Sequence, residues 1–240
     1  MLLMSGVCVL ICITGDTHGD LARFKHKSIK KLRKGDFLII CGDFGFIWDG
    51  SVKEEKILKK IGKKRFTTLF VEGCHENYDL LENCPEEDFC GGKVRVISGR
   101  LMQMKRGGIF NLQGHSFFAF GGGQSKDLDL KTESKTWYKD ELPTSQEIQQ
   151  GAVNLLNFGN KIDYIITHEP PGSLKDFLDF ESQEQSTMHI FFDAIKNDCV
   201  FNMWYFGKLH KNKLIPPKYT CIFDDVACIK SALPKKSKKK

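Results

Sequence analysis

The chain has 240 residues, 41% hydrophobic and 28% charged, a globular balance that excludes a disordered or fibrous chain. Its nine cysteines stand at irregular spacings with no Cys-x-x-Cys pair, which argues against a disulfide framework or a zinc finger and for a reducing, cytoplasmic setting. The formal net charge of +6 is concentrated in the terminal KKSKKK; without its five lysines the body carries about +1, so charge alone implies no nucleic-acid surface.

In chain order, MLLMSGVCVLICIT resembles a signal peptide but lacks a positive n-region and a small-residue cleavage site. It runs into GDTHGD, and Val7–Thr14 reads as a first buried strand. Asp20 caps a predicted helix through Lys34, with Leu21, Phe24, Ile29 and Leu32 inward and its lysines solvated. Asp36–Cys41 is a second strand, Val52–Ile61 a lysine-rich helix and Thr67–Glu72 a third strand. This alternation implies right-handed crossovers and a largely parallel sheet.

The middle changes character. Val94–Ile97, Ile109–Leu112 and Ser116–Phe120 are short strands joined by hairpins. Gly121–Thr144 is polar and irregular, a length of loop that is usually functional, with Trp137 and Tyr138 as stacking or anchoring residues. Ser145–Leu156 reads as a helix capped by Ser145, Asp163–Thr167 as a strand, Thr187–Lys196 as a helix and Met203–Phe206 as a strand. Leu214–Cys228 is expected to close a second sheet. No segment reaches the 18 or more apolar residues of a membrane span. The division is one domain over residues 1–232 and a solvated lysine-rich tail over 233–240.

One regularity dominates the chemistry. The buried strands stop at Gly or Thr followed by a potential metal ligand: Gly15-Asp16-Thr17-His18, Gly42-Asp43, Gly73-Cys74-His75, Thr167-His168 and Gly207-Lys208-Leu209-His210. Ligands of open α/β sheets bind outside the carboxyl ends of the strands, and glycine permits the sharp turn there. Each piece alone is a common turn; the ordered series is far more specific.

On these motifs the sequence resembles the calcineurin-like metallophosphoesterases, over roughly residues 7–230. Their pattern of DxH, GD, GNH plus an acid, a lone histidine and GHxH stands here as Asp16-Thr17-His18, Gly42-Asp43, Gly73-Cys74-His75-Glu76, His168 and Gly207-Lys208-Leu209-His210. The segments ITGDTHGD, TTLFVEGCHENYDLL and DYIITHEPP are similar to a bacterial- and phage-type branch. The resemblance implies an α/β fold, a four-layer αββα sandwich of two mixed sheets flanked by helices. It also implies two metal ions bridged by Asp43, with Asp16, His18 and His210 completing the first site and His168 serving the second.

Two positions depart from the pattern. Cys74 stands for Asn and Lys208 for the first His of GHxH. Cys74 is either a thiolate ligand in a zinc-like set or an inert small hydrophobe. Lys208 either stands in for part of the second ion's charge and binds a phosphate oxygen, or breaks the site. The donor set suits a divalent transition metal, Mn first and Fe, Ni or Zn as alternatives, with one or two ions per chain.

The expected activity is hydrolysis of a phosphomonoester or phosphodiester by a metal-activated water. By the same resemblance His75 is not a ligand but would sit beside the phosphate and protonate the leaving oxygen or stabilise charge. Glu76 either orients His75 or a ligand from behind, or is a structural residue exposed at a helix start. The substrate class is a phosphate-ester small molecule or nucleotide. A degenerate binding or scaffold module and a metal-dependent nuclease are the alternatives, the latter supported by the tail and by Lys25–Lys34. The basic residues at 63–65 and 105–106 read as solvated surface.

Overall fold

The computed structural model describes residues 8–125, 139–178 and 185–232. Thirteen strands occur among them: β1 (Cys8–Thr14), β2 (Phe37–Cys41), β3 (Thr67–Val71), β4 (Glu86–Phe89), β5 (Gly92–Ser98), β6 (Leu101–Met104), β7 (Gly108–Leu112), β8 (His115–Phe120), β9 (Lys161–Thr167), β10 (Val200–Phe206), β11 (Lys213–Ile215), β12 (Tyr219–Cys221) and β13 (Ala227–Ala232). The helices are α1 (Val52–Gly62), α2 (Tyr78–Glu82), α3 (Ser145–Asn157), α4 (Gly172–Leu178) and α5 (Thr187–Asp198).

The strands form two mixed sheets, seven-stranded in the order β13-β1-β2-β3-β6-β5-β4 and six-stranded in the order β11-β12-β10-β9-β8-β7. The centre of each is parallel: β1, β2, β3 and β6 in the first, β8, β9, β10 and β12 in the second. Antiparallel strands close both edges.

Three apolar layers explain why the central strands read as unbroken hydrophobic runs. Phe37, Ile39 and Cys41 of β2 enter a cluster with Phe117 and Ala119 of β8, between the sheets. The alternate residues Leu38 and Ile40 pack outward with Phe24, Ile29, Leu32 and Ile61. Phe118 and Phe120 pack outward on the other side with Leu155, Phe192 and Ile195 of α3 and α5. A strand buried on both faces has no polar alternation to show, and each such side chain contributes about 1.5–3 kcal/mol of burial. The four-layer αββα expectation is met.

Several local expectations are corrected. The helix expected from Asp20 to Lys34 is two short 3-10 turns, Leu21–Lys25 and Ile29–Lys31, with His26 extended between them. Asp20 does cap the first, accepting from the Ala22 N–H at 2.7 Å. Like charges at Lys27, Lys30, Lys31 and Lys34 fall three and four residues apart and oppose a continuous α-helix. Helix α3 is capped by Thr144, not Ser145, in a reciprocal box with Glu147.

Leu214–Cys228 was expected to close one sheet. β11 and β12 do close the second sheet, but the end of that stretch crosses back so that β13, from Ala227, pairs with β1 of the first. That pairing sets Cys12 opposite Cys228, and the two form a disulfide, where the irregular spacing had suggested thiols only. Strands β4 and β6 and helix α4 were not anticipated. Trp137, Tyr138 and the terminal lysines lie outside the described residues. No helix among the described residues is long and apolar enough to cross a membrane.

Candidate metal centre

Because the central strands are parallel, β1, β2, β3, β9 and β10 end on the same side, and their following turns meet. The structure gathers Asp16, His18, Asp43 and His210 into one cluster and Asp43, Cys74 and His168 into another, each with ligand atoms within 4.8 Å of one another. Asp43 belongs to both.

The backbone is bent to do this. His18, Asp43, Lys208 and His210 all have positive φ, of 45°, 43°, 66° and 47°. Non-glycine residues held there carry local strain of the kind that functional sites store. The β1 and β2 turns are laced together: the His18 N–H donates to the Asp43 carbonyl at 2.9 Å and the Thr17 hydroxyl to the Phe44 carbonyl at 2.8 Å. The glycines before the ligands also serve by what they lack. A Cβ on Gly73 would lie 2.2 Å from Asp43 Oδ1, and one on Gly207 2.1 Å from Asp16 Oδ1. The facing carboxylates occupy the space that a side chain would need.

The donor set fits a cation. Asp16 is fully buried and neither carboxylate oxygen makes a close hydrogen bond, the nearby imidazole nitrogens standing off at 3.4 Å (His168 Nδ1 from Oδ1) and 3.3 Å (His210 Nε2 from Oδ2). Such orphaned acceptors are costly unless a positive charge satisfies them. His18 Nε2 and His210 Nε2 face each other at 2.9 Å, and His210 Nε2 lies 3.3 Å from Asp16 Oδ2. Burial lowers both imidazole pKa values, an effect the nearby carboxylates only partly offset, so the neutral, metal-binding form is favoured. Asp43 Oδ1 accepts the backbone N–H groups of Cys74 at 2.6 Å and His75 at 3.1 Å, which orients the shared carboxylate.

In the second cluster His168 Nδ1 faces the Cys41 carbonyl at 3.2 Å, and its buried Nε2 lies 3.4 Å from Asp43 Oδ1 without a hydrogen-bond partner. Lys208 comes in beside Cys74. Its Nζ donates to Cys74 Sγ at 3.1 Å and to the Gln124 carbonyl at 2.9 Å, and lies 3.4 Å from Glu169 Oε1. Burial works against the lysine's charge, but Cys74 and Glu169 outweigh it and hold the ammonium well above the ordinary lysine range. A divalent ion about 2.3 Å from that sulfur would lie within roughly 5.4 Å of Nζ, a repulsion of at least ~6 kcal/mol at an effective dielectric near 20, before Glu169 offsets part of it. The first cluster therefore fits an ion as it stands; the second has three converging donors and an ammonium against one of them.

His75 joins neither cluster. It is half exposed, with Nε2 3.8 Å from Asp43 Oδ2. Glu76 is not exposed at a helix start: it is fully buried, and α2 begins later, behind the Asn77 cap. Its carboxyl accepts from the Gly45 N–H at 3.0 Å and the Gly73 N–H at 2.6 Å, tying the β2 and β3 turns together. Burial, reinforced by Asp43, pushes its pKa up to about 8.

Other residues that matter went unread in the sequence. Arg23 braces the first turn, donating to the Asp16 carbonyl at 2.8 Å and the Gly15 carbonyl at 3.1 Å. Its guanidinium sits over Phe223, whose ring stacks on His210 with centroids 4.9 Å apart. Glu169 and His189 are fully buried behind Lys208. Arg106, read as solvated surface, is buried and paired with Glu72 at 2.7 Å and Glu147 at 3.1 Å. Only an ionisable residue next to a ligand motif, as Glu169 is next to His168, could have signalled any of these.

A double-sheet α/β fold with two carboxylate–imidazole clusters sharing one aspartate defines a phosphoesterase-type architecture. The description of the calcineurin-like phosphoesterases matches residues 9–215, and the chain belongs to that family. Among solved structures it is similar to a candidate 5'-nucleotidase from Staphylococcus aureus in complex with alpha-ketoglutarate, at 14% identity and a TM-score of 0.48. That alignment covers 93% of this chain and 50% of the other, so the chain spans about half the length of that protein. A comparison with curated proteins gives no match.

Proposed function

We propose that the protein is a metal-dependent hydrolase of a phosphomonoester or phosphodiester, acting on a small phosphate ester or nucleotide. The observation that carries this reading is the pair of orphaned, fully buried Asp16 oxygens in the Asp16–His18–Asp43–His210 cluster. A scaffold has no physical use for them, whereas a divalent ion satisfies both. The mixed oxygen and nitrogen donors suit Mn first, with Fe, Ni or Zn as alternatives. When bound, the ion supplies Lewis acidity and an activated water at neutral pH.

The chain's own groups do the rest. Asp43 and Asp16 fix the cation, and Arg23 and Phe223 fix the ligands from behind. His75, exposed at the rim, protonates the leaving oxygen. Lys208 presents a fixed positive charge to a phosphate oxygen, where charge neutralisation is the main catalytic demand. A cytoplasmic location belongs to the same proposal through the irregular cysteine spacing alone, since the Cys12–Cys228 disulfide argues the opposite way.

The test is hydrolysis of an aryl phosphodiester by purified protein with Mn²⁺, beside an Asp43→Asn variant. Because Asp43 serves both clusters, its loss is expected to lower the rate at least ~10³-fold. Equal rates in the variant and the parent would reject the proposal.

A further inference from the structure

Lys208 is not a stray substitution; it is built in. Two of its three ammonium N–H groups are used on Cys74 Sγ and the Gln124 carbonyl, and the third faces Glu169 Oε1 at 3.4 Å. Glu169 is itself fixed. Its Oε1 accepts the Gln124 N–H at 3.0 Å, and its Oε2 lies 3.3 Å from His189 Nε2. His189 Nδ1 accepts the Ser186 N–H at 3.0 Å, so the ring's proton is on Nε2 and points at Glu169. The chain Ser186–His189–Glu169–Lys208–Cys74 therefore runs from the start of α5 to the edge of the second cluster, and both Glu169 and His189 are fully buried.

We infer that the Lys208 ammonium serves as the second cation of this centre, so that the protein holds one divalent ion tightly, at Asp16–His18–Asp43–His210, and that Glu169 and His189 are positioning residues for that ammonium. The inference rests on the phosphoesterase reading and deepens it. An ion on Cys74 would need the sulfur released from its ammonium partner and would sit beside a positive charge that Glu169 only partly offsets. A lysine is a compact point charge, and with its N–H groups engaged by the protein it acts on a phosphate oxygen through its field. Its presence makes one of the centre's three positive charges, two from the divalent ion and one from the ammonium, independent of metal supply. His168 belongs to the donor set that a second ion would take, so stoichiometry decides the matter.

The experiment uses the full chain, stripped with chelator and reloaded with Mn²⁺. Metal content and the electron paramagnetic resonance spectrum are read together. One ion per chain with a mononuclear six-line spectrum is expected. Lys208→Met, which keeps an unbranched side chain one atom shorter and removes the charge, is expected to admit a second ion with a spin-coupled spectrum; Lys208→Gln serves if the first variant does not fold. Two tight ions in the parent protein would overturn the inference while leaving the phosphoesterase reading intact. So would a single ion in the folded lysine variants, because the ammonium would then not be what excludes the second. No bound ion at all would overturn both.

The positioning role has its own readout. Glu169→Gln removes a negative charge, which alone favours phosphate, so a fall of about tenfold in inorganic phosphate affinity of the Mn-loaded protein at unchanged stoichiometry is the expected sign that lost positioning of the ammonium outweighs it. Glu169→Asp is expected to restore part of it. Unchanged phosphate affinity in the folded Gln variant would remove Glu169 from that role.

Discussion

Replacing Gly207 by alanine tests whether the glycine motifs exist to make room for ligands. Gly207 does not have positive φ, so the alanine introduces no backbone strain of the left-handed kind. Its added Cβ would stand 2.1 Å from Asp16 Oδ1 and 2.5 Å from the Cys41 carbonyl oxygen, where real Cβ atoms essentially never come under 3.0 Å. The Asp16 carboxylate, or the turn carrying His210, must therefore move by close to 1 Å. A displacement of about 1 Å in a positioned site costs on the order of 10²-fold, or ~2.7 kcal/mol. Mn²⁺ affinity by calorimetry and the rate of aryl phosphodiester hydrolysis should both fall by about that factor. The Cys41 contact also lowers the melting temperature, so both measurements belong at a temperature where the variant is folded. Affinity and rate within about threefold of the parent protein would refute the reasoning, since ~1 Å could then be absorbed elsewhere.

Arg106→Met leaves Glu72 buried without its guanidinium partner, with the Gln103 amide still donating to it at 2.7 Å. Removing one partner of a buried pair costs about 3–5 kcal/mol, readable as a shift in the urea unfolding curve; a loss under ~1 kcal/mol would contradict the pairing. The same network sets a pH dependence through Glu147. Burial raises its pKa, but the Arg106 guanidinium and the Thr144 cap outweigh that and hold it below the ordinary 4.5. A carboxylate depressed on folding stabilises fully above about pH 4.5 and loses that contribution as pH falls through its folded value. The penalty of Arg106→Met should therefore shrink in urea curves taken well below pH 4.5, and a constant penalty would exclude Glu147 from the linkage.

Much of the centre was legible because metal ligands must be particular residue types and strand ends must turn. Asp16, His18, Asp43, Cys74, His168 and His210 announce themselves as Gly or Thr followed by a donor, and the structure does bring them together. The glycines were read for turning, yet at Gly73 and Gly207 the facing carboxylate is what requires them. Arg106 looked like surface because a basic residue in sequence carries no sign of the Glu72 that meets it, 34 positions away. The Lys25–Lys34 region looked helical because apolar spacing does not register repulsion among the lysines between.

Local chemistry along the chain sets which runs are buried strands, where they stop, and which donors stand at the stops. Those follow from backbone preference and hydrophobic burial within a few residues. Only the tertiary structure decided what crosses between elements: the return of β13 to β1, the Cys12–Cys228 pairing, and the Glu169–His189 support beneath Lys208. These depend on which distant strands lie side by side. That is settled by packing two sheets against each other, where each residue's partner is chosen by the whole fold and not by its neighbours in the chain.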